Sequence, residues 1–189
     1  YLVVKPPVKT DGGMRPFCGV DDDPAFDNYK QLAKLGVKRV QVSGRWRMGY
    51  RGGIENRPGE FDFSLLEFQL RRGREFGMVN KVLCGAFEAP PWYFDEKEWN
   101  APARKGQNLV LDRSKQGAWI GLLREIMTRY GGLIDEIELG QEDNGQLGIN
   151  EYYKHKYPEH VKPDAGGQLW LVGGKPFDDL CDMVISGAS

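Results

Sequence analysis

A chain of 189 residues with a formal net charge of −1, 40% apolar and 28% charged, is long enough for one domain with a sizeable core. It carries no electrostatic footprint for nucleic acid or for an anionic membrane surface. Its apolar runs fall far short of a membrane span. The chain opens at Tyr1 without a charged n-region, so no signal segment is visible and the compartment stays open.

Cys18, Cys84 and Cys181 are far apart, odd in number and without metal spacing, so they read as buried free thiols. His155 and His160 sit among Lys154, Lys156 and Lys162, which predicts a solvated surface. Neither a metal site nor a Ser–His–Asp triad has support, and the sequence predicts no cofactor.

In chain order, residues 1–15 form a lead-in broken by Pro6, Pro7, Gly12 and Gly13. A short strand follows over 17–20. Asp23 before Pro24 opens a helix over 24–35, with Phe26, Tyr29, Leu32 and Leu35 on one face and Gly36 as its stop. The β-branched run 37–42 predicts a strand, and 43–59 a long loop with Arg45, Trp46 and Arg47. Ser64 with Glu67 makes a capping box for a helix ending at Gly77. Leu66, Leu70 and Gly73 face inward on that helix. A third strand spans 78–83, and a second long loop, 84–113, holds Glu88, Trp92 and Trp99.

The clearest helix is 114–130, where Trp119, Leu122, Leu123, Ile126, Met127 and Tyr130 recur at helical spacing. A fourth strand, 134–139, runs into Gly140, Gln141, Glu142, Asp143 and Asn144. A helix over 151–160, a fifth strand over 168–172 and a helix over 177–185 complete the chain.

Alternating strands and helices imply an α/β fold with a parallel sheet. No G-x-G-x-x-G or Walker loop is present, and the long aromatic loops follow strands. This favours a (β/α)8 TIM-barrel type over a doubly wound sheet, with about five β-α units present and the active site at the C-terminal strand ends. Such barrels take about 250 residues. The expectation is therefore a partial barrel over 16–189, truncated before the later strands, so that it is either the N-terminal part of a longer protein or takes its remaining strands from elsewhere.

Several segments carry a family resemblance: LGVKRVQVSGRW (35–46), PGEFDFSLLE (58–67), KVLCGAFEAPPWYF (81–94), RYGGLIDEIELGQEDN (129–144) and VKPDAGGQLWLVGG (161–174). In order and spacing they resemble the clan A glycoside hydrolases, TIM-barrel glycosidases of the β-xylosidase and cellulase kind. The resemblance implies a retaining mechanism with two carboxyl groups about 5–5.5 Å apart. Glu142 falls on the acid/base position at the end of the fourth strand. The nucleophile, at the end of the seventh strand, would lie outside this chain, and the missing strands would come from a longer one.

Two positions depart from the pattern: Gln141 replaces an Asn that binds the sugar 2-hydroxyl, and Gln41 replaces an Arg that supports the nucleophile. Arg39 and Arg45 are near but out of register. Trp46 and Trp92 follow the second and third strands, either as stacking platforms for sugar rings or as loop anchors. Glu88 lies past the third strand, and Asp21 and Asp22 follow the first, where they would bind sugar hydroxyls or cap a helix. The partner implied is a carbohydrate, and the setting extracellular or periplasmic. The alternative is a barrel-derived domain that binds sugar, or is structural, without cleaving it.

Overall fold

The computed structural model describes residues 19–21, 28–47, 53–104, 108–140 and 143–188. In chain order the strands and helices are β1 (Gly19–Asp21), α1 (Tyr29–Lys34), β2 (Arg39–Ser43), β3 (Glu55–Arg57), β4 (Glu60–Phe61), α2 (Ser64–Glu75), β5 (Val79–Leu83), α3 (Glu96–Trp99), α4 (Gln116–Tyr130), β6 (Glu136–Glu138), α5 (Asp143–Ile149), α6 (Glu151–Lys156), β7 (Val161–Pro163), β8 (Leu169–Leu171) and α7 (Lys175–Ala188). They divide into two compact units, Tyr1–Cys84 with Glu125–Glu138, and Gly85–Arg124 with Leu139–Ser189.

The first unit is built on a parallel sheet with the order β1-β2-β5-β6. Period-2 alternation sends Val40 and Val42 of β2, and Asn80 and Val82 of β5, to a buried face. Helix α2 covers β2 and β5 with Leu66, Leu70 and Gly73. Gly73 is required there, because a Cβ at this position would stand 1.9 Å from Asn80 Oδ1. Asn80 is buried and donates from Nδ2 to the carbonyls of Leu70 and Leu133, each at 2.9 Å. One amide thereby ties helix, strand and the turn before β6 together.

Some local expectations are corrected in this unit. Ser64 does not cap α2. Its backbone N–H donates to Asp62 Oδ1 at 2.9 Å, while Glu67 turns to Arg71 and Tyr130. An acid two residues earlier satisfies the same orphan donor. Leu35 is exposed, since the chain has left α1 by that point, and Met127 is exposed on α4. The loop 43–59 contains one arm of the antiparallel hairpin β3–β4. Residues 17, 18, 22–27 and 48–52 lie outside the described set, as do the expected starts of the first strand and first helix.

The second unit is mostly short helices. The segment 84–113 contains single turns at Ala86–Glu88, Pro91–Tyr93, Pro102–Arg104 and Arg113–Lys115, besides α3. Buried residues include Leu109, Leu111, Trp119, Leu147, Tyr153, Leu171 and Met183.

The expected fifth parallel strand is overturned. β8 pairs antiparallel with β7 as a hairpin, Val161 opposite Leu171 and Pro163 opposite Leu169. The reason is the turn between them. Asp164 Oδ1 accepts from the N–H groups of Gly166 and Gln168, Oδ2 accepts from Trp170 Nε1, and Gly167 takes a positive φ of 81°. Five residues close a hairpin, whereas a parallel crossover needs a dozen or more. The described residues thus hold four parallel strands. Cys84 is buried and Cys181 is exposed, both as free thiols. No helix among the described residues is long and apolar enough to cross a membrane.

Candidate active site

The C-terminal ends of parallel strands share one rim. In this sheet Ser43, Leu83 and Glu138 are aligned there on β2, β5 and β6. The exits interlock: Gly44 N–H donates to Leu83 O and Cys84 N–H to Glu138 O, both at 2.8 Å. A Cβ at Gly44 would come within 2.7 Å of Val82 Cγ1 and 3.0 Å of Leu83 O, so only glycine lets β2 leave this close to β5.

The face opposite α2 carries Arg39, Gln41, Lys81, Glu136 and Glu138 by the same alternation. Asp21, Gln41, Lys81 and Glu136 form one register row across all four strands. Two ion pairs cross it diagonally. Arg39 Nη2 meets Glu136 Oε1 at 2.5 Å, and Lys81 Nζ meets Glu138 Oε2 at 2.5 Å. These charges are half-buried. The polar members of this face lie on three different strands, Arg39 and Gln41 on β2, Lys81 on β5 and Glu136 and Glu138 on β6.

Glu142 and Gln141 lie outside the described residues; β6 ends four positions before Glu142, at Glu138. Asp21 closes β1, with its side chain outside the described set, and Asp22 lies outside it altogether. Gln41 sits in the register row named above, and Arg39 is committed to Glu136.

Trp46 is fully buried. Its indole Nε1 donates to Glu55 Oε2 at 2.5 Å, and the buried Glu55 also accepts the Gly59 N–H at 2.8 Å. Ile54 N–H to Arg45 O and Glu55 N–H to Trp46 O close the same loop. Of the two readings of Trp46, the loop anchor describes this geometry.

Glu88 and Trp92 belong to the second unit. Glu88 closes the turn Ala86–Glu88, half-buried, with its side chain folded over Gly85. Trp92 lies in the turn Pro91–Tyr93 and is 37% exposed, so part of its ring is open to solvent. Asp143 begins α5, a helix the sequence did not suggest.

No protein-family model matches the sequence, and no curated protein matches it significantly. Solved structures do. The fold is similar over 85% of this chain to the GH1 β-glucosidase from Exiguobacterium antarcticum B7, with a TM-score of 0.54 and 15% identity, covering 31% of that chain. A β-galactosidase from the psychrophilic Marinomonas ef1 gives a TM-score of 0.55 and 16% identity, over 74% of this chain and 25% of that one. A β-glucosidase from Exiguobacterium marinum gives a TM-score of 0.51 and 15% identity, over 85% and 31%.

The chain shares its fold with TIM-barrel glycosidases. The clan A resemblance carried by the strand-end motifs is thus also a resemblance of fold. The chain spans between 25% and 31% of the length of these structures.

Proposed function

We propose that this chain is part of a retaining glycoside hydrolase that cleaves O-glycosidic bonds of an oligo- or polysaccharide. The observation that carries this reading is that β6 is the fourth parallel strand in chain order. Glu142, where the resemblance puts the acid/base, follows the last residue of β6 by four positions in the sequence. Residues 16–189 then form the first part of a (β/α)8 barrel, and 1–15 lead into it.

In the proposed mechanism Glu142 gives its proton to the glycosidic oxygen as a carboxylate outside this chain attacks the anomeric carbon. The bond to the leaving alcohol breaks and a covalent glycosyl-enzyme forms. Glu142 then takes a proton from water, whose oxygen displaces the enzyme carboxylate. Gln141 binds a sugar hydroxyl, and Glu88, Trp92 and Asp21 contact substrate. Trp46 acts by fixing the loop that follows β2.

Hydrolysis of aryl glycosides by the protein that carries this chain tests the proposal. Glu142→Gln should lower kcat by about 10²–10⁴-fold for a poor leaving group, which needs the proton, and much less for an activated one. Equal rates for parent and variant on the poor leaving group would remove Glu142 as the acid.

A second reading, sugar binding without turnover, is favoured by one observation. Gln41 stands where the resemblance expects an Arg, and Arg39 is already paired with Glu136. That leaves the nucleophile without its usual cation. Retained glycan binding with no hydrolysis by the parent protein would select this reading.

A further inference from the structure

The second unit contains a cleft of about 120 Å³ whose wall is unusually rich in charge. Three ammonium groups (Lys115, Lys156, Lys175) and three carboxylates (Glu98, Asp112, Asp179) line it. Its remaining wall is largely aromatic, and Tyr93, Phe94 and Tyr157 are half-buried there, each with part of its surface open to solvent.

The walls are held in place from several segments. Asp112 accepts from the Ser114 N–H at 3.1 Å and hydroxyl at 2.8 Å, and also pairs with Lys175 at 2.9 Å. Lys175 is paired with Asp179 as well. Lys156 Nζ donates to Glu98 Oε1 at 2.8 Å and lies 5.7 Å from the centre of the Tyr157 ring. Lys115 Nζ donates to Tyr93 O at 2.7 Å, and the Val110 N–H to Tyr153 Oη at 2.9 Å. Burial pushes the Lys156 ammonium down, but its hydrogen bonds to Glu98 and Tyr152 more than offset this and raise its pKa. A lining fixed in this way loses little freedom on binding.

Charge narrows the choice of ligand. Three positive groups face three negative ones, so a free anion meets three carboxylates and a free cation three ammonium groups. Lys115 has no carboxylate partner among the described residues, which leaves N–H donors for a hydroxyl. A neutral ligand with many hydroxyls and one apolar face satisfies donors, acceptors and aromatic rings together. Size narrows it further. A single water needs roughly 10–15 Å³ and drug-sized ligands about 300–1,000 Å³. The cleft lies between, with room for one ring and its substituents left in solvent.

We propose that this cleft is a binding site for one neutral sugar ring of a longer glycan, and that it binds whether or not the chain cleaves a bond. Calorimetric titration of the whole protein with cellotetraose, with a uronic-acid tetrasaccharide and with sulfate tests it, in the Glu142→Gln background so that the probe survives. Binding of cellotetraose is expected, with neither anionic probe binding more tightly. Tyr157→Ala should weaken it about tenfold or more, the scale of a lost aromatic anchor, and Tyr157→Phe should restore it. Lys115→Met removes the ammonium donors together with the bond to Tyr93 O and should weaken it several-fold, with thermal melting as the check that the fold persists. Unchanged affinity in both Tyr157→Ala and Lys115→Met, or preference for sulfate or the uronate, overturns the proposal. Loss of hydrolysis in Glu142→Gln bears on the catalytic assignment alone, so the two ideas fail separately.

Discussion

Lys81 on β5 and Glu138 on β6 meet at 2.5 Å, one diagonal step apart on the polar face of the parallel sheet. Each side chain is 26% exposed, so the pair stands between the surface and the buried regime. Exposed pairs are worth about 0–1 kcal/mol, and breaking a buried one costs about 3–5 kcal/mol. Lys81→Met should therefore destabilise the protein by about 1–2 kcal/mol in urea unfolding. Adding Glu138→Gln should recover part of that loss. A double-mutant cycle with no coupling would mean that the contact is incidental.

Gly73 and Asn80 make a second sharp case. A methyl group at position 73 would stand 1.9 Å from Asn80 Oδ1, and Asn80 cannot swing away without releasing the carbonyls of Leu70 and Leu133. Gly73→Ala should thus cost about 1–3 kcal/mol, although alanine is the better helix former. Gly117, which has open space around it on α4, is the control. There the same substitution should be neutral or stabilising by thermal melting. Equal responses at the two sites would mean that α2 does not pack as closely on β5 as described.

Trp46 gives a prediction that separates anchor from platform. It is buried and donates its indole N–H to the buried Glu55. Trp46→Phe keeps an aromatic ring and removes the donor. The expected result is a loss of about 1–3 kcal/mol in stability, the cost of withdrawing a partner from a buried polar group. In any glycan-cleaving form of the protein, KM should be unchanged. A raised KM with unchanged stability would instead return Trp46 to the sugar site.

Much of the first unit was legible in the sequence because its residues obey one period at a time. The β-branched run VKRVQV (37–42) predicts a strand, and its residues 39–42 lie in β2. Leu66, Leu70 and Gly73 repeat at helical spacing and become the inner face of α2. Residues 168–172 also look like a strand, and 169–171 form one. Their partner is set by Asp164 and the two glycines after it, which fold the chain back before any crossover can form. Local composition gives the strand, but only the turn gives its direction. The candidate site is an expectation from motifs, with Gln141 and Glu142 outside the described residues, and Trp46 shows the limit of motifs. A tryptophan after a strand has the same sequence signature as a platform or as an anchor, and the bond to Glu55, nine residues on, is what the sequence does not show. The Lys81–Glu138 and Arg39–Glu136 pairs leave no mark in the sequence because each joins residues from different strands.

Asp112 and Lys175 give the pH dependence of the second unit. Lys175, then the backbone N–H and hydroxyl of Ser114, hold the Asp112 carboxyl far below the usual carboxylate range. Asp179, then Asp112, raise Lys175 above the usual lysine range. A depressed carboxylate stabilises the fold fully above its unfolded pKa of about 3.9 and loses that contribution as pH falls toward the folded value. A raised lysine contributes fully below about 10.4 and loses it as pH rises through its folded value. The tie is thus complete between about pH 5 and pH 9. Asp112 is 51% and Lys175 54% exposed, so solvent screening limits the pair to under about 1 kcal/mol. Asp112→Asn should lower stability at pH 7 by about 0.5–1 kcal/mol at low salt. The gap to the parent should shrink below about pH 4 and also at 1 M salt, where the Debye length is about 3 Å. Urea melts at pH 7 and pH 3, with and without salt, measure this. A gap that stayed constant across those conditions would show that the charge on Asp112 adds no stability through either Lys175 or Ser114.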